Sequence, residues 1–121
     1  MKYVLIVDDD RWLAETMARQ LSRAKIDSKI VGDGLAAMTE IDNDMPAAIV
    51  LDIFMPGPNG IVLLQELQSY DDLATIPVIL CTTSASDLNA QDLAPYGVCE
   101  VLDKVTITPN SVVTAVKKVI E

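Results

Sequence analysis

Acidic residues and a single lysine follow the apolar segments of this chain at the points where those segments end. In chain order, these polar residues are Asp8, Asp9 and Asp10, then Asp52, then Thr82 and Thr83, and finally Asp103 and Lys104. Carboxylates with no histidine or cysteine beside them favour a hard divalent cation. Mg²⁺ typically takes one or two such carboxylates and keeps waters and phosphate oxygens as its other ligands. The pattern therefore indicates a Mg²⁺ site and a phosphate-bearing partner.

A carboxylate can also be the nucleophile in phosphoryl transfer and form an aspartyl phosphate, provided that cationic groups screen the repulsion between the two anions. Asp52 is the candidate acceptor, because it stands alone between an apolar run and a loop with two prolines and two glycines. In this hypothesis, Asp8 and Asp9 hold the Mg²⁺ that bridges to the phosphoryl group. Lys104 supplies a fixed positive charge, and the Thr82 hydroxyl donates a hydrogen bond to a phosphoryl oxygen.

Each of these residues also has a simpler explanation. An acid before a helix is commonly an N-cap, which would account for Asp9 or Asp10. Asp52 could only form the turn ahead of the loop, Thr82 could cap the next helix, and Lys104 could be a solvated surface charge. Only a common location at one edge of a sheet favours the functional interpretation.

The elements that would place these residues alternate between strand and helix. Apolar runs predict strands at 3–7, 28–31, 47–51, 77–81 and 98–102. Helical spacing or composition predicts helices from Arg11, from Asp33 (with Leu35, Met38 and Ile41 apolar), from Ile61 towards Tyr70, at about 86–94, and from Pro109. Continuous apolar strands indicate a parallel sheet with helices on both faces, which makes the predicted fold a doubly wound α/β domain. Ligands of such sheets bind outside the carboxyl ends of the strands, where the polar residues stand.

The size and charge of the chain limit the classes of function. Its 121 residues, half of them apolar, predict one domain over residues 1–121. The net charge of −9 works against direct contact with nucleic acid. Two cysteines in strand-like segments, Cys81 and Cys99, predict reduced, buried thiols, and without histidine they cannot form the usual structural zinc sites.

No apolar run has the roughly 18 to 20 residues of a membrane span, and the amino terminus lacks a signal-peptide pattern. We therefore expect a cytoplasmic protein that makes no membrane contact.

Four motifs occur in a set order along the chain: "LIVDDD", "VLDIFMPGPNG", "PVILCTT" and "VLDK". Together they resemble the receiver domain of two-component response regulators over essentially the whole chain. The first resembles the acidic pair and the second the D-x-x-M-P-x-x-x-G phosphoacceptor loop. The third and fourth resemble the strands that end in the switch hydroxyl and the lysine. The resemblance implies a flavodoxin-like (βα)5 fold, in which five parallel strands have the order 2-1-3-4-5.

The same resemblance implies roles for individual residues. Asp9 would bind Mg²⁺ directly and Asp8 partly through water. The backbone carbonyl of Phe54 would be a further metal ligand, beside Asp52 itself. Asp52 would receive its phosphoryl group from a histidine kinase or a histidine phosphotransfer protein, and a downstream protein or output domain would read the changed surface. The protein would catalyse only its own phosphorylation and dephosphorylation, with Thr82 and Lys104 assisting.

The chain departs from the family pattern in four places. Val105 follows Lys104 where the family usually has a proline, and we predict a trans peptide bond there because a cis bond before a non-proline residue costs about 2.5–4 kcal/mol. The following loop, "KVTITPNS", is about one residue longer than usual. Val101 stands where the family commonly has a tyrosine or phenylalanine, and Thr83 where it prefers a very small residue. We expect phosphorylation to survive these changes, and the conformational response to be smaller or differently built.

Other functions fit the sequence less well. A hydrolase of the haloacid dehalogenase type needs a second aspartate two residues after its nucleophile, and Phe54 occupies that place. A flavin or nucleotide binder needs a glycine-rich phosphate loop, and the five glycines form no such motif. The main alternative is a receiver-like interaction module that signals without phosphorylation, which the altered region from Val101 to Pro109 keeps open.

Overall fold

The structure is a computed structural model that describes residues 3–52, 60–83, 90–104 and 106–120. The strands are β1 (Val4–Val7), β2 (Ser28–Val31), β3 (Ala48–Leu51), β4 (Val78–Thr82) and β5 (Val98–Asp103). The helices are α1 (Arg11–Arg23), α2 (Gly34–Asn43), α3 (Gly60–Gln68), α4 (Ala90–Leu93) and α5 (Pro109–Ile120).

The five strands form one parallel sheet in the order β2-β1-β3-β4-β5, which confirms the predicted doubly wound, flavodoxin-like topology. Val7, the last residue of β1, is in register with Val31 at the end of β2 and with Leu51 at the end of β3. Because three strands end at the same level, the residues that follow β1 and β3 leave the sheet side by side.

The core consists of two apolar layers, one on each face of the sheet. Successive residues of β1 contribute to opposite layers: Leu5 packs with the buried side chains of α2 and α3, and Ile6 packs with those of α1 and α5. Both side chains are fully buried. Burial of each stabilises the fold by about 1.5–3 kcal/mol. Burial on both faces explains why this strand has a continuous apolar sequence rather than an alternating one.

Two aspartates begin helices, as the sequence predicts for residues of this type. The side chain of Asp10 accepts a hydrogen bond of 3.1 Å from the Leu13 amide and caps α1. The side chain of Asp33 accepts a hydrogen bond of 2.8 Å from the Ala36 amide and caps α2. Each cap satisfies a backbone amide that has no partner within its helix and is worth about 1 kcal/mol.

Several predicted boundaries differ from the structure. Two 3₁₀-helices, Leu73–Thr75 and Ala94–Tyr96, were not predicted, and the second leads into β5 through Gly97. Gly97 has a φ of 83°, and a Cβ there would lie 3.2 Å from the Ile76 carbonyl oxygen, so this turn favours glycine. Of the predicted helix at 86–94, the structure describes α4 only from Ala90, because residues 84–89 lie outside the described part of the chain.

One prediction about burial was wrong, and one apolar helix residue lies away from the core. Leu35 is 70% exposed, because it lies on a different side of α2 from the buried Ala37 and Ile41. Cys99 is exposed and not buried as predicted, since β5 is an edge strand, whereas Cys81 is buried as predicted. Both thiols are free.

No helix in the described ranges is long and apolar enough to cross a membrane.

Candidate functional site

The carboxyl edge of the sheet brings two buried carboxylates together. The backbone amide of Asp8 donates a hydrogen bond of 3.1 Å to the carbonyl of Val31, and the amide of Asp52 donates one of 2.9 Å to the carbonyl of Val7. These bonds extend the ladders of β1 and β3 by one residue beyond the last strand pair. The side chains that leave the sheet here are nearly fully buried, with Asp8 2% and Asp52 6% exposed. Burial of two adjacent anions is costly unless cations offset their charge.

Lys104 supplies that positive charge. Its Nζ lies 2.8 Å from Asp8 Oδ2 and donates a hydrogen bond of 3.0 Å to Asp52 Oδ2. Its backbone amide donates a hydrogen bond of 2.9 Å to the carbonyl of Thr82 at the end of β4. The lysine is therefore fixed at its backbone by one strand, and its side chain reaches across to the ends of two others.

The two oxygens of Asp8 have different surroundings. Oδ1 accepts a hydrogen bond of 2.9 Å from the Asp10 amide. Oδ2 is buried, and no group in the described chain donates a well-directed hydrogen bond to it, although the charge of Lys104 lies close by. The Lys104–Asp8 contact is therefore an ion pair with poor hydrogen-bond geometry. A buried carboxylate oxygen without a directed donor is suited to a cation as an additional partner.

The charges at this edge are out of balance. Burial raises the pKa of Asp8, and the nearby charge of Asp52 adds to this, whereas Lys104 and the Asp10 amide act in the opposite direction without cancelling it. Burial alone would lower the pKa of Lys104, but its close contacts and charge interactions with Asp8 and Asp52 outweigh burial and raise it. One lysine thus stays charged but does not fully compensate the acids, which leaves room for a further positive charge.

Three carboxylates form the cluster that could hold that charge. Asp8, Asp9 and Asp52 each offer an oxygen, and these oxygens all lie within 4.8 Å of one another. Asp9 is exposed and opens the cluster to solvent. An all-oxygen set of this kind, two of its members buried, fits a hard divalent ion such as Mg²⁺. Asp10 is not part of the set, because its side chain caps α1.

The remaining predicted residues are only partly placed. Thr82 is fully buried at the end of β4 and in register with Asp103, so it lies at the same edge as the acids. Thr83 follows it and is exposed. Phe54, the proposed carbonyl ligand, lies outside the described residues. So does Val105, and with it the predicted trans bond to Lys104.

The chain departs from the family pattern between Val101 and Pro109, and the structure describes this region except for Val105. Val101 is half-buried and packs against the apolar layer of α2 and α3. The carbonyl of Asp103 accepts hydrogen bonds from the amides of Thr106 at 3.2 Å and Ile107 at 2.8 Å. These two bonds close the turn that carries Lys104.

Sequence analysis missed two features of the site. The first is the dual contact of Lys104 with Asp8 and Asp52, because a sequence gives no direction for a long flexible side chain. The second is a cleft of about 260 Å³ beside Lys104, between α1 and the start of α5, whose lining includes Trp12, Met17 and Ile107. The sequence signal that could have indicated this cleft is Trp12, a large aromatic residue two positions after the N-cap of a helix. In the structure its side chain is largely exposed.

Comparison with known proteins identifies the family. The family model described as the response regulator receiver domain matches residues 4–117, nearly the whole chain. The chain belongs to the response regulator receiver domain family. Among curated relatives of this receiver domain, the response regulator MprA of Mycobacterium avium is 35% identical over 98 residues, which is 76% of this chain and 43% of that protein. The chain thus spans less than half the length of these relatives.

Solved structures agree with the assignment of a receiver domain. The receiver domain of the Francisella response regulator 1452 is 27% identical and superposes with a TM-score of 0.86 over 99% of this chain and 97% of that chain. The chemotaxis response regulator CheY4 of Vibrio cholerae is 22% identical, with a TM-score of 0.86 over 98% of each chain. Receiver domains belong to two-component signal transduction, so this chain is a signalling domain.

Proposed function

We propose that this receiver domain is a Mg²⁺-dependent phosphorylation switch in which Asp52 is the phosphoacceptor. The observation that carries the proposal is the position of Asp52: a nearly buried carboxylate, 3.0 Å from a lysine amine and within 4.8 Å of two further carboxylates. Asp52 alone among the three follows β3, which lies between β1 and β4 in the sheet. Groups from both neighbouring strands can therefore act on a phosphoryl group bound there.

The transfer would proceed from a phosphohistidine of a histidine kinase or phosphotransfer protein. A carboxylate oxygen of Asp52 attacks phosphorus, the P–N bond to the histidine breaks, and the nitrogen leaves with the electron pair and takes up a proton. An aspartyl phosphate and a neutral histidine result. Hydrolysis by water later restores the carboxylate. When bound by Asp8, Asp9 and the Phe54 carbonyl, Mg²⁺ would neutralise charge on the phosphoryl oxygens.

Residues of this chain would stabilise the charge that the transfer brings in. Lys104, which now donates to Asp52 Oδ2, would donate to a phosphoryl oxygen once that carboxylate is esterified. The hydroxyl of Thr82, at the adjacent strand end, would donate a second hydrogen bond. Because the Lys104 amide donates a hydrogen bond to the Thr82 carbonyl, a movement of either residue on phosphorylation would also affect the other.

The output would depend on the region after β4. Val101 has no ring to move inward when Thr82 engages the phosphoryl group, so we expect the signal to reach a downstream protein or output domain through the turn at Asp103–Ile107 and α5. This region distinguishes the present domain from the family pattern, and the altered surface is where a partner would sense the phosphorylated state.

The test is intact mass after incubation with Mg²⁺ and a small-molecule phosphodonor such as acetyl phosphate. We expect one added phosphoryl group, none in Asp52→Asn, and none when EDTA removes the metal. Asp9→Asn should reduce the yield strongly, whereas Asp10→Asn is its matched control, because asparagine still caps α1 and Asp10 is outside the carboxylate cluster. No added mass in a folded wild-type protein would favour the interaction module that signals by binding alone.

A further inference from the structure

Helices α2 and α3 leave a groove between them, which we call the α2–α3 groove. Its first part is a mainly apolar cleft of about 340 Å³ lined by Gly34, Leu35, Met38, Val62, Leu63 and Glu66. Its second part is a separate and more polar cleft of about 280 Å³ near the carboxyl ends of the same helices, whose lining includes Met45 and Tyr70. The two parts share no lining residue in the described chain, and both lie along the same pair of helices.

Large apolar side chains are concentrated along this groove. In the described chain, five large hydrophobic residues are exposed, and three of them lie here: Leu35, Val62 and Tyr70, exposed by 70%, 44% and 51%. Leu35 and Val62 both line the first part, and Tyr70 lines the second. Exposed large apolar side chains grouped on the surface of a small domain are typical of an interaction site.

The charge around the groove is of one sign. None of the nine lysine and arginine residues lies between Lys29 and Lys104, whereas twelve of the eighteen acidic residues do. Four of these acids border the groove: Asp42, Asp44, Glu66 and Asp72. Within the described ranges, no lysine or arginine forms an ion pair with any of the four. The exposed apolar side chains thus have an anionic rim that no ion pair of the described residues neutralises.

We propose that the α2–α3 groove binds an amphipathic helix of a partner protein, whose apolar stripe is flanked by lysine or arginine residues. A third helix fits between two neighbouring helices through ridges and grooves of side chains. The ten residues of α2 extend for about 15 Å, which corresponds to about three turns of the bound helix. Cationic residues on both sides of the stripe would meet Asp42 and Asp44 at one end and Glu66 in the middle.

This surface is separate from the proposed phosphorylation site. None of the described residues that line the groove belongs to the carboxylate cluster or to its partners Thr82 and Lys104. The proposal does not depend on Asp52 being phosphorylated. It adds a second interaction surface, which recognises the charge pattern of its partner.

The test uses a synthetic, end-capped peptide of about fourteen residues, four turns of helix, with leucine at helical i, i+3, i+4 and i+7 spacing and lysine on both flanks. A matched peptide carries glutamate in place of lysine. With the ¹⁵N-labelled domain at physiological ionic strength, we expect the lysine peptide to shift the amide signals of α2 and α3. The glutamate peptide should bind at least about tenfold more weakly, because its charges repel the rim.

Variants of exposed residues localise the binding. Leu35→Ser combined with Val62→Ser should weaken the lysine peptide by about tenfold or more. Asp42→Asn combined with Glu66→Gln should weaken it by severalfold and make the affinity less dependent on salt. Ile120→Ser, at an exposed apolar residue of α5, is the matched control and should leave the affinity unchanged.

Three results would overturn the proposal. The first is that both peptides bind equally well. The second is that the shifted signals lie on α1 or α5, or that Ile120→Ser weakens binding as much as the groove variants do. The third is a concentration-dependent dimer in sedimentation experiments that Leu35→Ser with Val62→Ser abolishes, because a second copy of the chain would then cover the groove.

Discussion

The carboxyl edge of the sheet and the α2–α3 groove are both rich in acids, but the acids differ in what surrounds them. At the edge, Asp8 and Asp52 are nearly buried and Lys104 lies within 3.0 Å of both. Along the groove, Asp42 and Glu66 are exposed and no cation of the described chain pairs with them. The groove acids are hydrated, so their charges cost little free energy, whereas the buried edge acids need a nearby cation to offset the loss of hydration. We therefore expect carboxylates to control stability in one region and, as proposed, partner recognition in the other.

The largest expected effect is the loss of the cation at the edge. Lys104→Met leaves two buried carboxylates without their ion pair and should lower the free energy of unfolding by about 3 kcal/mol in the absence of divalent ions. Urea denaturation measures this change, and millimolar Mg²⁺ should recover part of it. Lys118→Met is the control, since that lysine is 68% exposed and 3.9 Å from Glu100, and it should change stability by under about 0.5 kcal/mol. Similar losses in both variants would contradict the contrast between the regions.

A smaller effect of opposite sign is expected for Asp8→Asn. Because folding raises the pKa of Asp8, the folded protein binds more protons than the unfolded one near the ordinary pKa of aspartate. The stability that this group contributes is present below that range and is lost as pH rises through it. Asp8→Asn should therefore stabilise the metal-free protein at pH 7 and remove the stabilisation by Mg²⁺. Thermal unfolding with and without Mg²⁺ measures both changes, and destabilisation of the metal-free variant would show that the Lys104 pairing dominates instead.

The two cysteines also differ in burial, and we expect their thiols to differ in reactivity as a result. Burial raises the pKa of the Cys81 thiol to about 12, so at pH 8 only about one thiol in ten thousand is ionised. Cys99 is exposed. A disulfide reagent added at pH 8 should label Cys99 in the folded protein and Cys81 only after unfolding. Cys99→Ser should then show no labelling before denaturant is added, and prompt labelling would mean that the site opens readily.

The smallest expected effect is in the groove. Asp42→Asn removes a solvated charge from a surface with excess negative charge, so it should change the free energy of unfolding by less than about 0.5 kcal/mol. Urea denaturation alongside Asp8→Asn makes the comparison direct. A loss of more than 1 kcal/mol would indicate that Asp42 has a structural partner and would weaken the case for a free anionic rim.

Much of this architecture could be predicted from the sequence, because it depends on local patterns. Continuous apolar strands require burial on both faces, and the polar residue that follows each strand must then lie at one edge. That reasoning placed Asp8, Asp52 and Lys104 at the same edge, where the structure has them. Boundaries were off by a residue, as for Thr82, which belongs to β4 itself. Threonine at a strand end fits the residue preferences of both a strand and a turn, so the sequence does not fix the last residue of the strand.

What the sequence could not give depends on three-dimensional neighbours. Exposure of Leu35 and Cys99 is decided by which elements lie opposite them, and helical or strand spacing does not contain that information. The choice between Asp9 and Asp10 as the capping residue is decided by where α1 begins, to within one residue. The bridge from Lys104 to two carboxylates requires the positions of three strand ends at once.

Asp10 joins the site to the first turn of α1. Its backbone amide donates to Asp8 Oδ1 and its side chain accepts from the Leu13 amide, so one residue holds both a carboxylate of the cluster and the start of a helix. Opening of that turn must break the support of Asp8, and any ligand that fixes Asp8 must slow the opening. Amide hydrogen exchange at Leu13 is thus a remote measure of how firmly the cluster is held. Because Trp12 lies in the same turn, its fluorescence emission would be a second measure of how ordered that turn is.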